Sequence, residues 1–65
     1  MLLADQLKKL RNENGLTQKQ MAEKIYVSRA AIAKWETQKG YPDISNIIAI
    51  SELFQITLDE LIKGS

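Results

Sequence analysis

The chain contains a segment of twenty residues that predicts two short amphipathic helices joined by a tight turn, TQKQMAEKIYVSRAAIAKWE (residues 17–36). Thr17 is followed three residues later by Gln20, which is the pattern of a capping box at a helix start. Ser28 is a favoured cap for the second helix, because its hydroxyl can accept from an otherwise unpaired amide. Only residues 25–27 lie between the two helices, so the connection must be a sharp corner.

The composition limits both the size of the fold and its chemistry. With 65 residues and 45% hydrophobic side chains, the chain is expected to form one domain, residues 1–65, around one small core. It has no cysteine and no histidine, and its carboxylates are scattered. The groups that most metal sites and many catalytic sites use are therefore missing. We expect no enzyme activity, no metal and no cofactor.

The chain also lacks a membrane or export signal. No segment approaches the run of about 18 apolar residues that a membrane-spanning helix needs. Residues 1–13 lack a basic leader followed by a long apolar core. Lysines beside leucines leave a membrane-surface helix as an alternative there, but the acidic residues favour a packed helix. We expect a cytoplasmic protein with no membrane partner and no evident small-molecule ligand.

The charges are unevenly divided along the chain. Residues 1–42 hold eight basic and four acidic side chains, a net charge of +4, whereas residues 43–65 hold one basic and four acidic side chains, a net charge of −3. A basic end suits a polyanionic partner. Ordinary solvated surface charge explains the same division equally well, so charge alone leaves both interpretations open.

Hydrophobic spacing and capping residues predict an all-α, compact five-helix domain with no strand. The first helix is expected over residues 3–13, ended by a left-handed stop at Asn14 and Gly15. The second and third helices are the pair described above, with the third over about residues 28–38. The first helix turns three leucines to one face: Leu3, Leu7 and Leu10.

The connection after the third helix predicts a stop and an extended segment. Gly40 is expected to end the helix, and Tyr41 to be extended, since the residue before a proline avoids helical geometry. Asp43 is expected to cap a fourth helix over residues 44–54. The isoleucines of that helix predict that it is mostly buried.

Thr57 and Glu60 form a second capping box, which predicts a short fifth helix. The end of the chain holds more apolar residues than one short helix buries, which leaves two interpretations open. They form a self-complementary patch between two copies of the chain, or they all pack into the domain's own core. The residues are Phe54, Ile56, Leu58, Leu61 and Ile62.

The third helix separates into two faces when its residues are placed about 100° apart. The inward face carries the large apolar residues and is expected to meet the core. It consists of Ser28, Ala31, Ile32 and Trp35. The outward face has two cations, one hydroxyl and two alanines, namely Arg29, Ala30, Ala33, Lys34 and Thr37.

This outward face suits a DNA major groove. Ala30 and Ala33 would let the helix backbone lie deep in the groove, and their methyl groups can touch a thymine methyl. Arg29 can bond bidentately to guanine, with Lys34 beside it. A helix, a tight turn and a second helix with such a face is a recognised DNA-binding device. The alternative for the alanines is that they are simply good helix formers.

The start of the second helix predicts a phosphate contact. Thr17, Gln18 and Lys19 lie where free amides and a partial positive charge attract an anion. Gln18 can also reach the start of the third helix, or make only a local hydrogen bond. Lys39 and Tyr41, after the third helix, are candidates for the same DNA strand.

The run LTQKQMAEKIYVSRAAIAKWE, the following Gly40 and Pro42, and the run ISELFQITLDELIKG together resemble the lambda-repressor-like helix-turn-helix domains of the Cro/Xre type. The resemblance covers nearly the whole chain. It implies a five-helix, sequence-specific DNA-binding domain of a transcriptional regulator, a repressor, with the third helix in the major groove. It also implies a homodimer on a palindromic operator in double-stranded DNA.

The resemblance also assigns roles to residues. Gln18 matches the glutamine that contacts the DNA backbone and a neighbouring base-reading residue. Arg11 and Glu36 match a partly buried ion pair that ties the first helix to the third. The positions that read bases are matched by Arg29, Ala30, Ala33 and Lys34, and contacts to phosphate are expected from Thr17, Lys19, Thr37, Lys39 and Tyr41.

The chain departs from the family's pattern at two places. Members commonly have glycine at the position of Tyr26, where the turn needs a positive φ, so a tyrosine there would be strained by on the order of 1 kcal/mol. Several base-reading positions that are often polar are alanine here. Readout is then expected to depend on Arg29 and Lys34, with more of the specificity coming from DNA shape.

A second hypothesis belongs to another class of function. The modest net charge and the alanine-rich face are also compatible with a protein–protein interaction module that keeps the fold without binding DNA. Dependence of duplex binding on salt distinguishes the two, because a DNA-binding protein must show a steep salt slope.

Overall fold

The computed structural model describes residues 2–64, which form five α-helices. No strand occurs in this range, so the all-α prediction is confirmed. Within the same range, no helix is long and apolar enough to cross a membrane. The helices are α1 (Leu3–Glu13), α2 (Gln18–Lys24), α3 (Arg29–Glu36), α4 (Ile44–Phe54) and α5 (Leu58–Lys63).

Four of the helices begin with the side-chain cap that the sequence predicts. In each, a hydroxyl or carboxylate oxygen accepts from the amide three residues later, and the capping boxes of α2 and α5 are complete. The hydrogen bonds from the Asn46 amide and the Ser45 hydroxyl hold the pKa of the Asp43 carboxyl below its ordinary value. The four caps are Thr17, Ser28, Asp43 and Thr57.

Each of the five helices is followed by a residue in the left-handed conformation, and the first four ends share one hydrogen-bond pattern. The next residue then donates its amide to a carbonyl five residues back, over 2.9 to 3.0 Å. After α1 the left-handed residue is Gly15, with φ of 67°, as predicted. After α2, α3 and α4 it is not glycine but Tyr26, Gln38 and Gln55, with φ of 60°, 61° and 55°.

The prediction that Gly40 ends the third helix is wrong. α3 ends at Glu36 with Thr37 as its cap, and Gln38 takes the left-handed conformation, so the helix is shorter than the expected residues 28–38. Gly40 has no positive φ. A Cβ atom there would lie 3.6 Å from Lys34 Cβ and 3.9 Å from Trp35 Cδ1, which are ordinary contacts. Neither its backbone nor its surroundings require glycine.

One hydrophobic core joins all five helices. Each helix contributes one side chain that is almost completely removed from solvent, and burying such a side chain is worth about 1.5–3 kcal/mol. α3 packs against both α1 and α2, so its inward face is held from two sides. The five side chains are Leu7, Met21, Ile32, Ile50 and Leu61.

The expectation that α4 is mostly buried is wrong for its outer face. Ile44 and Ile48 are 65% and 42% exposed, because α4 meets the core with the face that carries Ile47 and Ile50. The isoleucines are too evenly spread around the helix for all of them to meet one core. The last apolar residues do not all pack into the domain's own core, and a patch between two copies stays a prediction. Leu61 is buried and Phe54 and Ile56 are half-buried against the core, whereas Leu58 and Ile62 are exposed.

The turn between α2 and α3 keeps its left-handed residue although that residue is tyrosine. Val27 donates its amide to the Ala22 carbonyl over 3.0 Å, which requires the positive φ at Tyr26. The Tyr26 side chain is 94% exposed, so no packing offsets the strain. The positive φ implied by the family resemblance is confirmed, and the turn does not change to relieve it.

We expect Tyr26→Gly to raise the free energy of unfolding by about 1 kcal/mol, because glycine adopts this conformation without a Cβ clash. Urea denaturation followed by circular dichroism measures the change. Tyr26→Ala is the matched control, since it removes the ring but keeps the Cβ atom. Equal stabilisation by both variants would assign the effect to the ring and contradict the explanation.

Candidate nucleic-acid interface

α3 presents the face that its helical period predicts. Ile32 and Trp35 are buried in the core, while Arg29, Ala30 and Lys34 are exposed and Ala33 is half-buried. The outer surface therefore combines two short alanines with two long cations. Such a surface allows the helix backbone to approach a groove closely while the cations reach beyond it.

A buried ion pair fixes α3 relative to α1. Arg11 donates from Nε to Glu36 Oε2 over 2.7 Å and from Nη2 to Glu36 Oε1 over 3.1 Å. The two side chains are 14% and 1% exposed. Hydrogen bonding to Glu36 raises the pKa of Arg11 further above its ordinary value, so the cation is permanent. Arg11 also donates to the Leu16 carbonyl over 2.9 Å, and this bond joins the loop before α2 to the same guanidinium. The ion pair predicted for these residues is confirmed.

Gln18 connects this ion pair to the outer face of α3. Its Nε2 donates to Glu36 Oε1 over 3.2 Å, and its Oε1 accepts from Arg29 Nη1 over 3.1 Å. The reach from α2 to the start of α3 is as expected. The bond to Glu36 was not expected, because it joins the start of α2 to the end of α3. The four side chains Arg11, Glu36, Gln18 and Arg29 thus form one continuous series of hydrogen bonds.

The start of α2 keeps donors available for an anion. The Thr17 hydroxyl accepts from the Gln20 amide over 3.0 Å, and the Thr17 amide donates to Gln20 Oε1 over 2.9 Å. The hydroxyl proton of Thr17 is not used in these bonds. Lys19 is exposed on the same turn. The first turn of α2 therefore carries both a hydroxyl donor and an exposed ammonium.

The loop after α3 adds exposed polar groups, and one of them is already used in a hydrogen bond within the chain. Lys39 and Tyr41 are exposed, and Tyr41 lines an apolar groove of about 250 Å³ together with Leu2, Trp35 and Pro42. Thr37 donates its hydroxyl proton to the Ala33 carbonyl over 2.7 Å. A phosphate contact from Thr37 would have to replace that bond.

The cations of this surface have no acidic partner within residues 2–64, where the one ion pair is Arg11–Glu36. They are Lys19, Arg29, Lys34 and Lys39, contributed by α2, α3 and the loop after α3. Because their charges are not neutralised internally, they produce a positive potential that suits phosphates.

A sequence model of the helix-turn-helix family matches residues 7–61 of the chain. The transcriptional activator BcrR of Enterococcus faecalis is 50% identical over 60 residues, which are 92% of this chain and 29% of that protein. The uncharacterised transcriptional regulator YqaE of Bacillus subtilis (strain 168) is 36% identical over 63 residues, which are 97% of this chain and 54% of that protein. The chain therefore spans between about a third and a half of the length of these relatives.

A solved structure agrees with the fold over the full length of the chain. The P22 c2 repressor protein in complex with synthetic operator 9T has a TM-score of 0.93 and is 28% identical in sequence. The match covers 100% of this chain and 98% of that one. The helix order, the confirmed ion pair and the family match agree with each other, and the chain belongs to the lambda-repressor-like helix-turn-helix family of the Cro/Xre type.

Proposed function

We propose that the chain is the DNA-binding part of a transcriptional regulator and binds a specific sequence of double-stranded DNA with α3 in the major groove. The observation that carries this proposal is the outer face of α3, where Arg29 and Lys34 flank two alanines on a backbone similar to that of a repressor solved with its operator. The proposed action is binding alone, without catalysis, in the cytoplasm.

Direct readout in this proposal depends on Arg29. Its guanidinium can donate two hydrogen bonds to the N7 and O6 atoms of one guanine. Lys34, five residues further along α3, reaches an acceptor of a neighbouring base pair. Ala30 and Ala33 contribute close approach and contact with thymine methyl groups. With few polar readers, the remaining specificity comes from the shape of the DNA.

Contacts to phosphate position the helix in the groove. Thr17 and Lys19 at the start of α2 bind one phosphate, and Lys39 and Tyr41 bind another beyond the end of α3. Thr37 is the weakest member of this set, because its hydroxyl proton is donated to the Ala33 carbonyl.

We propose that the chain regulates transcription by occupying an operator. Relatives of this chain include one named as an activator and one named as a repressor. The same DNA-binding fold therefore occurs in both kinds of regulator.

We further propose that two copies bind a palindromic operator, with their α3 helices about 34 Å apart. The exposed apolar residues of α5, Leu58 and Ile62, support this, because they lie one turn apart on one face of the helix. An exposed apolar patch of this kind can pair with its own copy under two-fold symmetry.

We expect Arg29→Ala to lower operator affinity and to reduce the preference for one base pair by about 1–3 kcal/mol. Selecting bound sequences from a random DNA pool, followed by titration of single-base variants, measures the preference. Arg29→Lys is the matched control, since it keeps the charge but loses the bidentate geometry. Retention of the preference by Arg29→Ala would contradict the proposed docking.

We expect Lys19→Ala to weaken binding to all sequences alike and to reduce the slope of log affinity against log salt concentration by about 1, because one phosphate contact is lost. Titration of random duplex at several salt concentrations measures this slope. Lys63→Ala, an exposed lysine on α5, should leave it unchanged. A flat slope for the unmodified chain would instead favour the protein–protein interaction module.

We expect Ile62→Lys to abolish cooperative binding to a palindrome while affinity for a single half-site stays within about twofold, since α5 packs mainly against α1 and α4. Band-shift titrations on one-site and two-site duplexes compare the two quantities. Leu2→Lys places the same charge at an exposed apolar residue outside this patch and should keep cooperativity. Equal loss in both variants would refute a dimer contact at Ile62.

A further inference from the structure

The Gln18 amide lies between a group that only accepts hydrogen bonds and a group that only donates them. On one side its Nε2 is 3.2 Å from Glu36 Oε1, and on the other side its Oε1 is 3.1 Å from Arg29 Nη1. A carboxylate offers only acceptors and a guanidinium only donors, whereas the two ends of an amide differ. Only one of the two orientations of the amide satisfies both neighbours.

Glu36 is well placed to determine that orientation. Its side chain is 1% exposed, and both of its oxygens accept from Arg11, over 2.7 and 3.1 Å. The carboxylate is therefore held in one position by Arg11. Arg29, in contrast, is exposed. Within residues 2–64, its side chain makes one hydrogen bond, and the acceptor is Gln18.

We propose that Glu36 is a positioning residue for base discrimination, which acts through Gln18 on Arg29. The carboxylate sets the direction of the Gln18 amide, and the Gln18 carbonyl holds the Arg29 guanidinium in one direction on the outer face of α3. This inference rests on the proposed function, because it concerns the base that Arg29 selects. It extends the site from the exposed face to a buried group that never touches DNA.

A single substitution at position 36 is expected to reverse the Gln18 amide without changing the size of the side chain at position 36. In Glu36→Gln the new amide keeps its oxygen toward Arg11 Nε, where the bond in the native chain is shortest. Its NH₂ group then takes the place of Oε1, where it faces Gln18 and also Arg11 Nη2. Gln18 must turn its carbonyl inward to accept, so that its own NH₂ group faces the Arg29 guanidinium. Two donors then oppose each other, and Arg29 is released.

A second substitution restores the acceptor. In Glu36→Gln combined with Gln18→Glu, the carboxylate at position 18 accepts from the new amide on one side and from Arg29 on the other. The net charge of the chain is unchanged by this exchange. Any uniform effect of moving the carboxylate toward DNA lowers affinity for all sequences alike, so the ratio between base pairs reports on Arg29 alone.

The experiment measures the affinity ratio between the preferred base pair and its alternatives at the position that Arg29→Ala identifies. Glu36→Gln should reduce this ratio about tenfold, and the exchanged double variant should restore most of it. Arg11→Lys is the matched control for stability, because it weakens the ion pair but leaves a carboxylate facing Gln18. It should lower the unfolding midpoint and reduce the ratio much less than Glu36→Gln does.

A second measurement needs no DNA. Proton NMR of the full chain locates the Gln18 side-chain NH₂ group by its nuclear Overhauser contacts, which should lead to the side chain at position 36 in the native chain and should be lost in Glu36→Gln. An unchanged affinity ratio in Glu36→Gln, an equal loss in Arg11→Lys, or an unturned amide would each overturn the inference. If the native chain prefers no DNA sequence, the proposed function fails, and the NMR contacts decide the amide orientation independently.

Discussion

The buried pair of Arg11 and Glu36 is the interaction on which the geometry of this surface depends. It joins α1 to the last residue of α3, and the Arg11 guanidinium also binds the Leu16 carbonyl before α2. α1, α3 and the loop before α2 therefore meet at one guanidinium. A buried pair of this kind often adds little net stability, but loss of one partner leaves an uncompensated charge in the core. Its value here is directional, since hydrophobic contacts alone would tolerate a rotation of α3 about its axis.

The starts and ends of the helices differ in how well the sequence predicts them. A start depends on a side-chain oxygen and an amide three residues away, so Thr17, Ser28, Asp43 and Thr57 can be identified locally. An end depends on a left-handed residue, and glycine marks only one of the four such ends that precede α5. The better signal is the residue that follows. Leu16, Val27 and Ile56 each pack against the core, and burying them forces the preceding residue into the left-handed conformation, whatever its side chain.

The same distinction holds for the surface. The two faces of α3 follow from the period of one helix, so its buried and exposed residues could be predicted from the sequence. The exposure of Ile44 and Ile48 could not, because it depends on where α1 and α5 lie relative to α4. The contact between Gln18 and Glu36 also joins elements that only the tertiary fold brings together. The features that the sequence does not predict here are therefore contacts between helices. They include the bond from Gln18 to Glu36, which links the core to the outer face of α3.

An alanine-rich face changes what the rest of the fold must supply. Where several polar side chains read a groove, small errors in the direction of one of them are shared among many contacts. Here Arg29 and Lys34 are the long polar side chains on the exposed face, so the direction of a single guanidinium determines a larger part of any discrimination. An exposed arginine has many rotamers, and restricting them before binding reduces the entropy lost on contact. A rigid buried carboxylate, connected to that arginine by one amide with two distinct ends, supplies the restriction without adding another side chain to the face.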